Sequence, residues 1–511
     1  MKPSLQGVPV LVVGAGIMGS GIAQVAAQAG HPVFLFDLRE GAAAEAKRKL
    51  AATLDGLVAK GKLGADAAQA TLARIQAVAT LQAAASAKLV VEAIVEHIDA
   101  KRSLFKQIEV VLSEDAVLAT NTSSISVTAI ANGLQRPAQL VGMHFFNPVP
   151  LMKLVEVVSG LQTAPAVAEA IFDLAHAWGK TAVHAKSTPG FIVNRIARPY
   201  YAETLALLHE QAATPQVLDA CLRAAGFRMG PCELMDLIGH DTNFAVTNSV
   251  YEANFYDKRF VPSLVQREMV DGGLLGRKSG RGFYTYPANS AALPVALHDA
   301  PNTAREVAVH GDGAVADRLE AAAAQALSAQ GWGPARRRDS PWTGLVVDGA
   351  YLVMTDGRRA GELAAVFGTP EVAVFDRPLV LAASPGTALA YAVAPGASAD
   401  WRAQAAAWLA ALGFAPQAVA DAPGLVAART VAMLINEAAD AVQQGVCTPE
   451  GADAAMKLGV NYPAGPFEWL QRWNIAEVVQ LIDTLDAHYR GERYRVSPWL
   501  RERAAPAPTA F

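Results

Sequence analysis

Over its first 187 residues the chain alternates short apolar runs with longer stretches of helical periodicity. The runs VPVLVV (8–13), HPVFLFD (31–37), KLVVEAI (88–94), AVLATNTSS (116–124) and QLVGMHFF (139–146) are β-branched and short, the pattern of buried strands. An Ala-, Lys- and Leu-rich stretch (40–63) reads as a helix between two of them. Strands alternating with helices predict a parallel, doubly wound sheet, continued through KLVEVV (153–158) and TAVHA (181–185). Pro189 and Gly190 then punctuate a change to long amphipathic helices, with Thr188 as a nearby cap.

The helical pattern returns later in the chain. TPGFIVNRIARPYYAETLALL at 188 is echoed by APGLVAARTVAMLINEAADAV at 422, an offset of 234. LRAAGFRMGPCELMDLIG at 222 is echoed by MKLGVNYPAGPFEWLQRWN at 456, within one residue of the same offset, so the segment is an internal duplication. Between the copies, GLVVDG, AYLVMTDG and VAVFDRPLVLAAS read as short strands of a small Rossmann-like module without a glycine fingerprint. A structural or interface role suits that module better than a ligand of its own.

The predicted fold is α/β: a Rossmann-type doubly wound sheet, an all-helical domain, a small degenerate Rossmann-like module and a second helical copy. The expected boundaries are 1–187, 188–287, a linker 288–341, 342–415, 416–500 and a tail 501–511.

Apolar residues make up 52% of the 511, enough for several cores and against global disorder. A net charge of -4 gives no global attraction to nucleic acid or an anionic membrane. No run approaches about twenty uninterrupted apolar residues, so no membrane span is expected. Cys221, Cys232 and Cys447 are scattered, which argues against a disulfide scaffold or thiol-based metal site and fits a reducing cytoplasm.

Gly14, Gly16 and Gly19 spell G-x-G-x-x-G between a strand and a helix, with Ile17 and Met18 inside the same cofactor-binding turn. The first glycine permits the turn, the second lets backbone approach a pyrophosphate, and the third allows close helix–strand packing. Asp37 closes the next strand, where a carboxylate can bind both hydroxyls of an adenosine ribose and repel a 2′-phosphate. That favours NAD over NADP, although Arg39 nearby could accept a phosphate.

His144 ends a predicted strand before an N-P-x-P turn, and Glu156 interrupts an apolar run twelve residues later. Read alone, His144 suits a packed core and Glu156 an outward-facing strand position. Together they suit an imidazole whose tautomer and basicity are fixed by a carboxylate, which is what a general base requires. The polar NTSS turn (121–124) and Asn194 in GFIVNR are candidates to meet a ribose or a substrate carbonyl, against simple capping or surface placement.

GAGIMGSGIAQ, VVEAIVE, NTSS, HFFNPVPLMKLVEVV, TPGFIVNR and GPCELMDLIG, in that order over about residues 7–287, resemble the 3-hydroxyacyl-CoA dehydrogenases of β-oxidation. The added repeat resembles their long bacterial form, which includes 3-hydroxyadipyl-CoA and 3-hydroxybutyryl-CoA dehydrogenases. The resemblance implies a catalytic His144–Glu156 pair, with Ser123 and Asn194 completing the site and binding substrate. It implies nicotinamide-side contacts from Glu96, Lys101 and Asn121, and an acyl-CoA partner met through Lys60 or Lys62. Ala428 stands at the asparagine position of the second copy, so that copy is expected to be an inactive scaffold. The scaffold would bury a face that short members bury by dimerisation, and a homodimer is the default assembly. Arg195 and Arg198 suit salt bridges or CoA phosphates better than a dicarboxylic acyl group. The rival readings are a dehydrogenase of free hydroxy acids, which would use a lysine where Asn194 stands, and an NAD-binding protein without catalysis.

Overall fold

The computed structural model describes residues 2–287, 293, 304–380 and 386–505. Contacts divide the chain into two compact units, one of residues 1–196 with 441–465, the other of 197–440 with 466–511.

The first unit is built on eight strands: β1 (Val10–Val13), β2 (Val33–Phe36), β3 (Ile75–Ala77), β4 (Leu89–Glu92), β5 (Val117–Thr120), β6 (Leu140–Phe145), β7 (Leu154–Ser159) and β8 (Thr181–Lys186). Their order is β3-β2-β1-β4-β5-β6-β7-β8. The central strands are buried on both faces, which is why they read as unbroken apolar runs. Two details depart from expectation. The short β3 adds an edge, and β7 runs antiparallel to β6. Residues 146–153 between β6 and β7 are too few for the helical crossover that a parallel neighbour requires.

The second unit holds a seven-stranded sheet: β9 (Val307–His310), β10 (Ala335–Arg337), β11 (Gly344–Val347), β12 (Ala350–Met354), β13 (Val372–Phe375), β14 (Thr387–Val393) and β15 (Phe414–Ala418), ordered β10-β9-β11-β12-β13-β14-β15. The expected linker 288–341 is therefore corrected in its second half. β9, the helix Ala314–Leu327 and β10 belong to this sheet, and Leu319, Ala323 and Leu327 pack into its core. Four- and three-residue strands beside an alanine-rich helix give too weak a periodicity to be read from sequence. Most of 288–303, the end of the run VAVFDRPLVLAAS at 381–384, and 506–511 of the expected tail lie outside the described residues.

The duplication has a physical signature. Asp219 accepts the N–H groups of Cys232 and Glu233, where the helix Pro231–Ile238 begins. A Cβ at Gly230 would lie 2.3 Å from the Asp219 side chain, and one at Gly465 would lie 2.2 Å from Asp453. Each G-P turn is a glycine pressed onto an aspartate, so the block recurs in both copies.

The second unit also buries Glu203 of the first helical copy against Arg429 of the second, at 2.6 Å. Burial pushes the Glu203 carboxyl up, but Arg493 and Arg429 more than offset it and hold the group below its ordinary range. Among the described residues, no helix is long and apolar enough to cross a membrane, and no cluster of side chains could hold a metal ion.

Candidate active site

All the residues singled out in the first 196 positions lie in the first unit, most of them at the carboxyl end of its parallel strands. Ligands of open α/β sheets bind at that end. Gly14 has φ +103°, and a Cβ there would lie 2.4 Å from the carbonyl oxygen of Ala93. A Cβ at Gly19 would lie 1.8 Å from the carbonyl oxygen of Gly14. At Gly16 nothing lies within 4 Å, so the space a side chain would fill is open in front of the helix Ile17–Gln28. No side chain caps that helix, and its first N–H groups face this opening.

Asp37 accepts the N–H groups of Ala15 and Arg39, at 2.7 and 2.9 Å, and is thereby fixed beside the turn. A cavity of about 520 Å³ adjoins it, with the exposed apolar side chains of Leu38 and Val95 on its wall. An open glycine turn, a helix N-terminus, a fixed carboxylate and an apolar slot fit a dinucleotide with adenosine next to Asp37. Ile17 is exposed and Met18 half-buried on the other side of the turn. There a second cavity of about 490 Å³ is lined by Ile17, Arg39, Lys49, Thr53 and residues 147–150. Lys60 and Lys62 are exposed just beyond the helix Ala42–Ala59 and do not line it.

His144 and Glu156 are directly opposed on β6 and β7. His144 Nδ1 lies 2.5 Å from Glu156 Oε2, and both groups are buried. The carboxylate orients Nδ1 as the protonated nitrogen, which leaves Nε2 as the basic one. Glu156 Oε1 accepts the N–H groups of Ile192 and Val193, at 3.1 and 2.9 Å. One carboxylate thus ties the imidazole to the turn that carries Asn194. Phe191 just before it has φ +47°, held by that turn. Asn194 Nδ2 in turn donates to the carbonyl of Ser123 at 3.4 Å.

Asn121 Oδ1 accepts the N–H of Phe145, next to His144. Glu96 Oε1 accepts from Thr122 Oγ1 and from the N–H groups of Ser123 and Ser124, which shapes the NTSS turn. Burial pushes the Glu96 carboxyl up, but the Lys101 charge and these donors outweigh it and leave the group below its usual value. Glu92 was not singled out in the sequence, yet it organises this region. It accepts from Lys101 Nζ at 2.6 Å and from Thr120 Oγ1 at 2.7 Å, with all three residues buried. A glutamate ending the apolar run KLVVE was its only signal.

The second copy repeats the anchoring of the helix start with a different residue. Asp376 follows β13 and donates its N–H to Ala390, which stands where Glu156 stands in the first copy. The Asp376 carboxylate accepts from the N–H groups of Val426, Ala427 and Ala428. It anchors the helix start as Glu156 does, without an imidazole.

The 3-hydroxyacyl-CoA dehydrogenase NAD-binding domain matches residues 9–188, and the C-terminal domain of the same enzymes matches 190–286 and again 424–506. The chain belongs to the 3-hydroxyacyl-CoA dehydrogenase family. As a 3-hydroxyacyl-CoA dehydrogenase it is an NAD-dependent oxidoreductase. Residues 352–423 match the reduced Rossmann-fold domain of 3-hydroxybutyryl-CoA dehydrogenase. The chain is 44% identical to the 3-hydroxyadipyl-CoA dehydrogenase of Escherichia coli (strain K12), over 97% of both chains. Human mitochondrial hydroxyacyl-coenzyme A dehydrogenase is 40% identical, over 54% of this dehydrogenase and 90% of the human chain. The crystal structure of 3-hydroxybutyryl-CoA dehydrogenase from Escherichia coli K12 superposes with a TM-score of 0.88, at 42% identity over 98% of each chain.

Proposed function

We propose that this dehydrogenase oxidises a 3-hydroxyacyl-CoA to the 3-oxoacyl-CoA with His144 as general base, and that 3-hydroxyadipyl-CoA is its preferred substrate. The observation that carries the catalytic reading is the buried 2.5 Å contact between His144 and Glu156. Bound NAD supplies the hydride acceptor, and the chain's own residues do the rest. His144 Nε2 takes the proton of the C3 hydroxyl. Glu156 stabilises the imidazolium that results, and Ser123 and Asn194 orient the substrate oxygens. Glu96, Lys101 and Asn121 hold the turn on which the nicotinamide ribose rests. Acyl-CoA reaches the site along the groove of Thr53 and Lys49, with Lys60 further out as a phosphate contact.

The dicarboxylic preference is supported by the full-length similarity to an enzyme named for 3-hydroxyadipyl-CoA. Arg195 and Arg198 are already engaged, by Gln444 and by Thr247 with the Tyr201 ring. The preference is therefore assigned to the acyl chain as a whole and not to either arginine. Comparing kcat/KM for 3-hydroxyadipyl-CoA and 3-hydroxybutyryl-CoA tests it. A clear excess for the adipyl thioester is expected, and an excess for the butyryl thioester refutes it. A cytoplasmic location fits the three free cysteines. A homodimer is the proposed assembly, tested by light scattering of the full chain.

A further inference from the structure

The two helical copies exchange partners by one reciprocal rule. Lys186 donates its N–H to the carbonyl of Val446 at 2.9 Å, and Ala420 donates to Ala212 at 2.8 Å, the same bond with the copies interchanged at the offset of 234. Arg195 donates to Gln444 Oε1 at 2.8 Å, and Arg429 donates to Glu210 Oε1 at 3.5 Å, again at that offset. The helix Pro449–Gly459 of the second copy packs on β7 and β8, and the helix Pro215–Ala224 of the first packs on β14. Such interchange is the signature of an isologous interface, here written within one chain.

The chemistry on the two sides is unequal. On β14 the exchanged helix covers the strand that carries Ala390, whereas on β7 it covers the strand that carries Glu156. A Cβ on Gly459 would lie 2.7 Å from Leu154, on the strand of Glu156, and 3.0 Å from Val193, whose N–H Glu156 accepts. Burial first and the Glu156 carboxylate second push the Cys447 thiol up to about 12, so Cys447 stands within the field of that carboxylate. Gln444 grips Arg195, the buried neighbour of Asn194.

We infer that residues 444–459 of the second copy are a positioning element for the first copy's active site. Gln444, through Arg195, and Gly459, through Leu154 and Val193, hold Glu156 and the turn of Ile192–Asn194 in reacting geometry. This rests on the catalytic reading of His144 and Glu156. The second copy, with Ala428 where the first has Asn194, is retained for this task as well as for packing.

The test uses the full chain and four variants: Gln444→Ala, Gln444→Glu, Gly459→Ala and the mirror variant Glu210→Ala. Steady-state kinetics with NAD and 3-hydroxybutyryl-CoA, the pH profile of kcat and Tm are read for each. Gln444→Ala is expected to lower kcat about fivefold and to move the acid limb of the profile, with KM for NAD unchanged. Gln444→Glu, which installs the residue of the mirror position, restores kcat, and Gly459→Ala lowers it. Glu210→Ala lowers Tm while kcat stays within twofold. The inference is overturned if Gln444→Ala keeps kcat within twofold, or if Glu210→Ala lowers kcat as much as Gln444→Ala does. An active His144→Gln variant would instead overturn the catalytic reading beneath it, so the two failures are told apart.

Discussion

Glu156 serves His144 with one carboxylate oxygen and the helix start at Ile192 and Val193 with the other. A buried carboxylate must have its oxygens satisfied, and here the satisfying groups are those that the proposed mechanism needs aligned. Glu156→Gln keeps the shape, but its amide nitrogen must face either an imidazole or two N–H donors. We expect kcat to fall about a hundredfold and Tm to drop by several degrees, measured by steady-state kinetics and calorimetry. A loss of activity with unchanged Tm would separate the two tasks and contradict this account.

Asp37 is expected to decide between the two nicotinamide cofactors. Asp37→Ala should raise KM for NAD by about tenfold and narrow the preference over NADP, with kcat little changed. Initial rates with each cofactor check it. Arg39 then becomes available to a 2′-phosphate.

The Glu96 carboxyl is held below its ordinary 4.5 in the folded chain, since the Lys101 charge and the donors of the NTSS turn outweigh its burial. A depressed carboxyl contributes stability above its unfolded value, and that contribution disappears as pH falls through the lowered folded value. Glu96→Gln should therefore lower Tm most at neutral pH. The gap from the parent chain should close below pH 4.5. Tm across that range measures it, together with a raised KM for NAD.

Much of the first unit could be read from sequence because its strands are buried on both faces and its glycines meet hard steric limits. His144 and Glu156 were legible as a pair because a charged residue inside KLVEVV needs a partner. Glu92 was harder, since nothing in VVEAIVE says which glutamate turns inwards. β9 and β10 are not legible because three or four residues carry too little period, and the helix between them is masked by its run of alanines. The exchange of Pro215–Ala224 and Pro449–Gly459 was illegible for another reason. A repeat tells which helices correspond, but not which copy's sheet each one covers.

Glu203 sits wholly buried between Arg429 and Arg493, with Tyr494 donating its hydroxyl as well. Removing the carboxylate takes the ion-pair partner from Arg493 and leaves the buried Arg429 with Glu210 alone, at 3.5 Å. Glu203→Ala should destabilise the chain by about 3–5 kcal/mol while folded enzyme keeps its kcat. Denaturant unfolding paired with active-site titration gives both quantities.

The proposed proton transfer depends on one nitrogen, His144 Nε2. Single-turnover formation of NADH from 3-hydroxybutyryl-CoA by His144→Gln isolates the proton-accepting step from product release. We predict a loss of about a hundredfold or more against the parent chain, with NAD binding retained in a parallel fluorescence titration. A rate within a few-fold of the parent would show that His144 Nε2 is not the base, and would contradict the mechanism proposed for this dehydrogenase.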